Sequence, residues 1–329
     1  FLALAKTQIY DRADSPYRRL FQMVQCDYAD LEGETHRYGV ESTLTKLARD
    51  GVYITSEEFK GKTPIVRGNL SFRVSPDDFN SVGSLPGFNI QSSGTKNPPV
   101  HSCVTLEWLR TRALVMSIFF SAHDLFSRQH GIYDSILPGP AGINNLLIFS
   151  RIGATPQRWF ARWLPHYSRY DYHYFNTQLI VSTGKLSGIH LPWPEFVNAM
   201  DVERTIVSWI EENKRHRQRS AITTSATNAT RIAQTGRKMG VSLEGTTFFC
   251  AGEPITDSKR TTIEGSGAKV ALRFSYGGSV TVGMGCANPL YTDEVHVNQY
   301  MLALISHERR IAANTPVRPM LCTIFDPAH

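Results

Sequence analysis

Cysteine is scarce in this sequence: five occur in 329 residues, at positions 26, 103, 250, 286 and 322. The number is odd and no two lie close together, which excludes a disulfide-framed scaffold and implies free thiols in a reducing compartment. No Cys-x-x-Cys is present, so a zinc ribbon is excluded. Cys250, Cys286 and His296 remain a remote metal option, and no metal ligand is assigned. Charge is also low, at 19%, against 41% hydrophobic residues, which excludes a disordered chain. Long apolar runs are missing. The longest, Ala113 to Phe120, is interrupted by Ser117 and is too short to span a bilayer. There is no internal repeat and no low-complexity segment. The N-terminus lacks a basic stretch followed by an apolar one, so the reading is cytoplasmic with no membrane span. The first residue is Phe1 rather than Met, the mark of a processed, trimmed or partly observed chain.

What is there suffices for one large domain, or a large and a small one, with a sizeable core. Lys and Arg exceed Asp and Glu by six, and the pI is about 9.1. The densest basic run, Lys214-Arg215-His216-Arg217-Gln218-Arg219, follows a segment in which Val202, Ile206, Trp209 and Ile210 share a helical face. Acids open that segment and bases close it, as the helix dipole favours. The run reads as a solvated helix end, and with no aromatic residue interleaved it does not argue for nucleic acid.

Residues 1–80 read as helical: Pro16 to Phe21, Glu41 to Asp50, and a helix start at Thr55-Ser56-Glu57-Glu58-Phe59. Phe88 to Gln91 is a short strand leading into Ser92-Ser93-Gly94-Thr95-Lys96. Thr105 to Leu125 is a long apolar-rich helix, and Leu146-Leu147-Ile148-Phe149 reads as a buried strand. Tyr167, Tyr170, Tyr172, Tyr174 and Phe175, with Pro192-Trp193-Pro194, form an aromatic cluster suited to core or subunit packing, or to a substrate wall.

From residue 221 the rhythm is regular. Strands are expected at Ala221–Ser225, Thr246–Cys250 and Lys269–Ser275, alternating with helices at Asn228–Met239 and Asp257–Glu264, the second capped by Thr256. Strand, helix, strand, helix, strand at this spacing implies parallel pairing with right-handed crossovers. Ligands bind at the carboxyl ends of such strands. Polar loops at Ser225, Gly252 and Gly277 sit at those ends. The fold class is therefore α/β, with residues 81–329 forming the part that follows the helical 1–80.

Three loops carry candidate chemistry. Ser92-Ser93-Gly94-Thr95 offers hydroxyls and backbone N–H groups suited to phosphate oxygens, with Lys96 adding charge. It is not a Walker A loop. Ala251-Gly252-Glu253-Pro254 lets a planar ring approach backbone. Tyr276-Gly277-Gly278-Ser279 presents an aromatic ring for stacking and a hydroxyl for phosphate.

Together, and in this order, these loops resemble the adenylate-forming superfamily of acyl-CoA synthetases, in its phenylacetate–CoA ligase and luminescence acyl-protein synthetase branch. The first loop is similar to the family's phosphate loop. Ser225-Ala226-Thr227 and the helix after it resemble its acyl-pocket segment, and Ala251 to Pro254 with Arg260, Ile263 and Glu264 its adenine segment. Tyr276 to Ser279 is similar to its Tyr-Gly-x-Ser/Thr-Glu motif. Gly283-Met284-Gly285-Cys286 fits the stretch beyond. The resemblance implies the family's large N-terminal domain, with mixed and parallel sheets flanked by helices and the C-terminal lid absent. It implies ATP and Mg²⁺ as cofactors and two half-reactions: a carboxylate attacks the α-phosphorus of ATP to give an acyl-adenylate, and a thiol then attacks the mixed anhydride. Ser92 to Lys96 would hold the β- and γ-phosphates, with Thr95 and Ser279 acting on the reacting groups. Tyr276 would stack on adenine near Gly252. Ser225, Ala226, Thr227 and Phe249 would line the acyl site, for an apolar acyl or aryl group. The acceptor is open: CoA, a carrier protein, or a protein cysteine such as Cys322. A homodimer is a further option.

The sequence also departs from the family. Val280 stands where the Mg²⁺-holding carboxylate is expected, and Lys96-Asn97-Pro98-Pro99 replaces the second Thr-Gly of the phosphate loop. The expected ribose-binding Asp and lid Lys find no counterpart. Residues omitted from the chain would account for these gaps. The alternative is an adenylation fold retained as a binding or regulatory partner without ATP chemistry.

Overall fold

The computed structural model describes residues 1–79, 87–91, 101–137, 139–162, 172–276, 280–310 and 315–325. Two compact units are present. One comprises Phe1–Gly87, Val100–Cys103 and Asn298–His329, the other Phe88–Pro99 and Val104–Val297.

The first unit is built on helices α1 (Pro16–Met23), α2 (Tyr28–Tyr38) and α3 (Val40–Arg49). Pro16 occupies the first turn of α1, where its missing N–H costs nothing. Asp27 and Asp30 form a reciprocal capping box that starts α2. Leu20, Phe21, Leu31, Leu47 and Ile65 close the core beneath these helices. The antiparallel strands Leu302–Ser306 and Met320–Ile324 also belong to this unit.

The second unit is a sheet of eight strands flanked by helices. In chain order it runs α4 (Leu106–Ala122), β1 (Gln129–Tyr133), α5 (Pro140–Arg151), β2 (Arg158–Arg162), α6 (Tyr172–Leu186), β3 (Pro194–Val197), α7 (Val202–Arg215), β4 (Ser220–Thr224), α8 (Ala226–Lys238), β5 (Thr247–Cys250), α9 (Asp257–Glu264), β6 (Lys269–Tyr276), β7 (Val280–Gly285) and β8 (Val295–Val297). The spatial order is β8-β7-β6-β5-β4-β1-β2-β3. Pairing is parallel from β6 through β3, and β7 and β8 extend the edge antiparallel. The expected alternation of strand and helix is thus realised at the predicted places.

Period-two alternation divides the core between the two faces of the sheet. Phe248 and Phe249 are neighbours in β5 and are both buried. Phe248 packs with Ile206, Ile210 and Ile232 of α7 and α8, whereas Phe249 packs with Met116, Phe120 and Phe149 of α4 and α5. Each buried ring of this size contributes roughly 2–3 kcal/mol of transfer free energy. A third cluster, with Ile132, Leu146, Trp159 and Val181, fills the space beside β1 and β2.

Two expectations need correction. Leu146–Phe149 is not a strand but the middle of α5. A four-residue apolar run has no period of its own. The deciding features are Pro140 in the first turn and apolar residues at Ile143, Leu146 and Leu147, three and four residues apart, which give a helix buried against β1 and β2. The strand in this region is β1, whose polar Gln129 and His130 hid it. The aromatic cluster needs correction only in part: Tyr172 and Phe175 of α6 are 71% and 64% exposed and so are not core, whereas Tyr174 packs inward against Phe196. Tyr167 and Tyr170 lie outside the described residues.

Candidate active site

The carboxyl ends of β4, β5 and β6 meet at one level of the sheet. Register aligns Thr224 with Cys250 and Leu272 with Cys250. The segments that follow each strand are the ones the sequence singles out.

Ser225 caps α8. Its hydroxyl accepts the backbone N–H of Asn228 at 3.2 Å, satisfying one of the donors that the first helical turn leaves open. Ala226 is fully buried. Thr224, just before the cap, donates its hydroxyl to the carbonyl of Tyr133 at 2.8 Å and accepts from Asn228 Nδ2 at 3.1 Å. These bonds fix the exit of β4 against β1.

After β5, the N–H of Ala251 bonds Thr224 O at 3.1 Å, which carries the pairing one residue past the strand. Gly252 then takes φ +85°, a left-handed conformation that strains any residue with a Cβ, and no atom stands within 4 Å of where that Cβ would be. The chain turns there beside open space. Glu253 is held fast. Its Oε1 accepts the backbone N–H of Thr227 at 2.5 Å, and its Oε2 accepts the Thr227 hydroxyl at 2.7 Å and the Lys259 ammonium at 2.9 Å. Lys259 Nζ also donates to Thr227 Oγ1 at 2.9 Å. Burial works against the charge, but Lys259 and the Thr227 bonds outweigh it, and the carboxyl is pulled down to about 2. Sequence reasoning found Glu253 and Thr227 but missed Lys259, which lies one helical turn inside α9 at the spacing that returns a side chain to the preceding loop.

Arg260 and Ile263 of the expected adenine segment are structural: Arg260 bonds Thr292 O at 2.7 Å and Glu264 at 3.2 Å, and Ile263 is fully buried. Phe249 is buried among Phe119, Phe120 and Phe149, with the guanidinium of Arg273 5.2 Å from its ring centroid. Tyr276 ends β6 and is paired in register with Val280, the first residue of β7. Ser92, Ser93, Gly94, Thr95 and Lys96, and Gly277, Gly278 and Ser279, lie outside the described residues. The structure therefore brings together the Ser225–Thr227 and Ala251–Pro254 segments and the end of β6. Cys322 is exposed in the Met320–Ile324 strand of the first unit.

Asp134, directly after β1, and Arg273 of β6 were not anticipated, because β1 itself was not. Burial raises the carboxyl of Asp134, against the opposing N–H of Ser135 and the charge of Arg273. Arg273 is drawn down to about 10 by burial.

Among the described residues no helix is long and apolar enough to cross a membrane, and no group of three or more His, Cys, Asp or Glu side chains is placed to hold a metal ion. No family model matches the chain, and no curated protein matches it. Solved structures do. A 2-hydroxyisobutyryl-CoA ligase in an open conformation, with 2-HIB-AMP and CoA, is 13% identical with a TM-score of 0.51 over 96% of this chain and 62% of the ligase. The same ligase in its thioester-forming state gives 13%, 0.51, 96% and 58%. An anthranilate CoA ligase with anthranoyl-AMP is 10% identical over 72% of this chain and 39% of that one, at a TM-score of 0.45. The chain thus spans less than two thirds of the length of these ligases. At such identity the first likeness establishes the fold: an α/β domain with a mixed, mainly parallel sheet between helices, as in the N-terminal domain of adenylate-forming enzymes.

Proposed function

We propose that this chain activates a carboxylic acid with ATP as an acyl-adenylate and passes the acyl group to a thiol. The observation that carries the reading is the Glu253 clamp. It ties the Gly252 turn, matched to the adenine segment, to the first turn of α8, matched to the acyl pocket, so that both sit at the carboxyl edge of a parallel sheet in fixed relation. Catalysis of this kind depends on position and charge rather than on a side-chain base, because the attacking carboxylate is already a nucleophile.

The open space beside Gly252 fits a planar ring laid against backbone, and on the resemblance alone Tyr276, the last residue of the neighbouring strand, is assigned to stack on that ring. Bound ATP would supply the α-phosphorus that the acid attacks. Ser92 to Lys96 are assigned to its outer phosphates, and Thr95 and Ser279 to the reacting groups, on the resemblance alone. Mg²⁺ fits less well. Val280 is apolar where a carboxylate is expected, Glu253 is already engaged by three donors, and Asp134, after β1 at the same edge, is a carboxylate whose charge burial opposes. No step is assigned to a metal here. For the acceptor, the ligase of like fold was seen with CoA. CoA is therefore the first thiol to test, with a carrier protein next.

ATP–pyrophosphate exchange with a panel of fatty, aryl and short polar acids tests the reading. Acid-dependent exchange is expected. Absence of exchange with every acid, together with absence of nucleotide binding, sinks it and leaves the fold as a binding scaffold.

A further inference from the structure

The helices that flank the sheet do not meet water in the same way. α7 is amphipathic: Val202, Ile206 and Ile210 are buried, and Arg204, Glu212, Lys214 and Arg215 are exposed. α6 is apolar on both sides. Thr177 and Val181 are buried, and Tyr174 and Ile180 pack against the cluster of Trp159 and Leu146. The opposite side carries Tyr172, Phe175, Leu179 and Leu186, spaced three, four and seven residues apart, which is one stripe along the helix. Tyr172 and Phe175 stand mostly in water, Leu179 is half exposed and Leu186 is 88% exposed. The helix holds no acid, and the ammonium of its one lysine, Lys185, lies 4.5 Å from the centroid of the Trp193 ring.

A helix that is apolar all round belongs in an interior. The four exposed side chains leave on the order of 500 Å² of apolar surface in one strip, at the upper end of what a monomer shows. A stable interface buries about 800 Å² on each partner, as an apolar core within a polar rim. The stripe has the size of such a core, and Asn176, Ser182 and Thr183 flank it as rim. A bilayer fits less well. An interfacial helix sets basic residues beside its apolar face to meet the headgroups, and Lys185 is engaged on Trp193 instead.

The stripe is also matched to itself. Leu179 is the midpoint of α6, and Tyr172 and Leu186 lie seven residues to either side, about 10 Å along the axis. Two copies of α6 laid antiparallel about a two-fold axis at Leu179 set that leucine against its own counterpart. Tyr172 then comes level with Leu186 of the second copy, and the large Phe175 with the small Thr183. Large meets small along one seam that holds no carboxylate or ammonium, as a self-complementary contact needs. We infer that this face receives a second copy of the chain, with α6 packed antiparallel on α6 about Leu179. The aromatic residues whose exposure keeps them out of the core are thereby subunit contacts. The pairing is independent of the acyl-adenylate chemistry.

Analytical ultracentrifugation across a concentration series is expected to show a reversible dimer. Leu179→Glu and Leu186→Glu are each expected to weaken it by roughly a hundred-fold, because every substitution enters a two-fold interface twice. Both side chains are at least half exposed in the protomer, so the far-ultraviolet circular dichroism of the variants should match wild type. Leu186→Glu alone suffices if Leu179→Glu does not fold. The register is read by cross-linking with the thiol oxidant diamide in a Cys322→Ser background, which removes an exposed cysteine. Leu179→Cys should join two copies, whereas Leu186→Cys, about 20 Å from its own counterpart, should not. A monomer at every concentration overturns the inference, as does a dimer that both glutamate substitutions leave intact. Cross-linking through Leu186→Cys but not through Leu179→Cys overturns the antiparallel pairing. A monomeric wild type that floats with phosphatidylcholine–phosphatidylglycerol vesicles, and no longer does so as Leu186→Glu, assigns the stripe to a membrane instead.

Discussion

Glu253 grips Thr227 with both carboxylate oxygens, one on its backbone N–H at 2.5 Å and one on its hydroxyl at 2.7 Å. Two loops that are 26 residues apart in sequence thereby move as one. The carboxyl falls from its usual 4.5 to about 2, so its contribution is complete above pH 4.5 and is lost as pH falls through 2. Glu253→Gln should therefore cost about 1–2 kcal/mol at pH 7, the lower part of the range for charged hydrogen bonds because the side chain is 29% exposed. The gap from wild type should narrow between pH 4.5 and 2. Urea unfolding at pH 7, 4 and 3 checks it, and a gap that does not change with pH would refute the charge argument.

The same bonds show how much of the site was legible. Ser225, Gly252 and Glu253 follow strands rich in Thr and Phe, and each carries a local signature: a cap, a left-handed turn, an acid before proline. Those signals act over a few residues, and the sequence displays them. Asp134, Arg273 and Asn145, whose Oδ1 accepts from Arg273 Nη1 at 2.9 Å, carry none. They come together only because β1 pairs with β4 and α5 crosses above it, and β1 begins with Gln129 and His130, against strand propensity. Pairing between distant strands overrides local preference there. The parallel sheet itself was readable from residue 221 onward, where strand and helix alternate with clear caps, and less so before it.

Arg67 and Glu58 form a bidentate pair, at 2.8 and 3.2 Å, in which both side chains are about nine-tenths buried. The guanidinium also donates to the carbonyls of Gly51 and Tyr53, and Glu58 closes the capping box on Thr55. Removing one partner strands the other charge away from water. Glu58→Ala should cost about 3–5 kcal/mol in the first unit, whereas an exposed pair such as Lys62–Glu57 should be worth less than about 1 kcal/mol. Chemical unfolding of Glu58→Ala and Glu57→Ala side by side tests the contrast. Similar losses in the two would contradict it.

Two helical glycines should respond oppositely to alanine. Gly33 lies inside α2, and a Cβ there would meet nothing within 4 Å. Gly33→Ala should stabilise by about 0.5–1 kcal/mol by restricting the unfolded chain. Gly142 lies in the first turn of α5, where a Cβ would stand 2.4 Å from Ser135 O and 2.7 Å from the Trp159 ring. Gly142→Ala should cost about 1–3 kcal/mol as α5 lifts from β2. Thermal unfolding of both variants reads the two signs.

His130 sits in β1 stacked on Phe120 at 5.1 Å and edge-on to Phe149 at 5.9 Å. Nε2 lies 2.8 Å from Leu125 O and must donate to it, which leaves Nδ1 buried without a partner. A proton on Nδ1 would place a charge among phenyl rings. Burial, with a smaller push from Arg128, lowers the imidazole from 6.5 to about 4, although the Leu125 bond opposes this. Above pH 6.5 the ring is neutral in both folded and unfolded chains, and stability is intact. As pH falls from 6.5 to 4 only the unfolded chain takes up the proton, so stability drops by about 3 kcal/mol, each ten-fold loss of proton affinity being worth roughly 1.4 kcal/mol. His130→Gln retains an N–H for Leu125 but cannot titrate. It should begin less stable at pH 7, through lost packing, yet decline less steeply than wild type down to pH 4. This window lies above that of Glu253, so unfolding at pH 7, 6 and 5 isolates it. Parallel declines in the two proteins would mean that His130 is charged in the folded state.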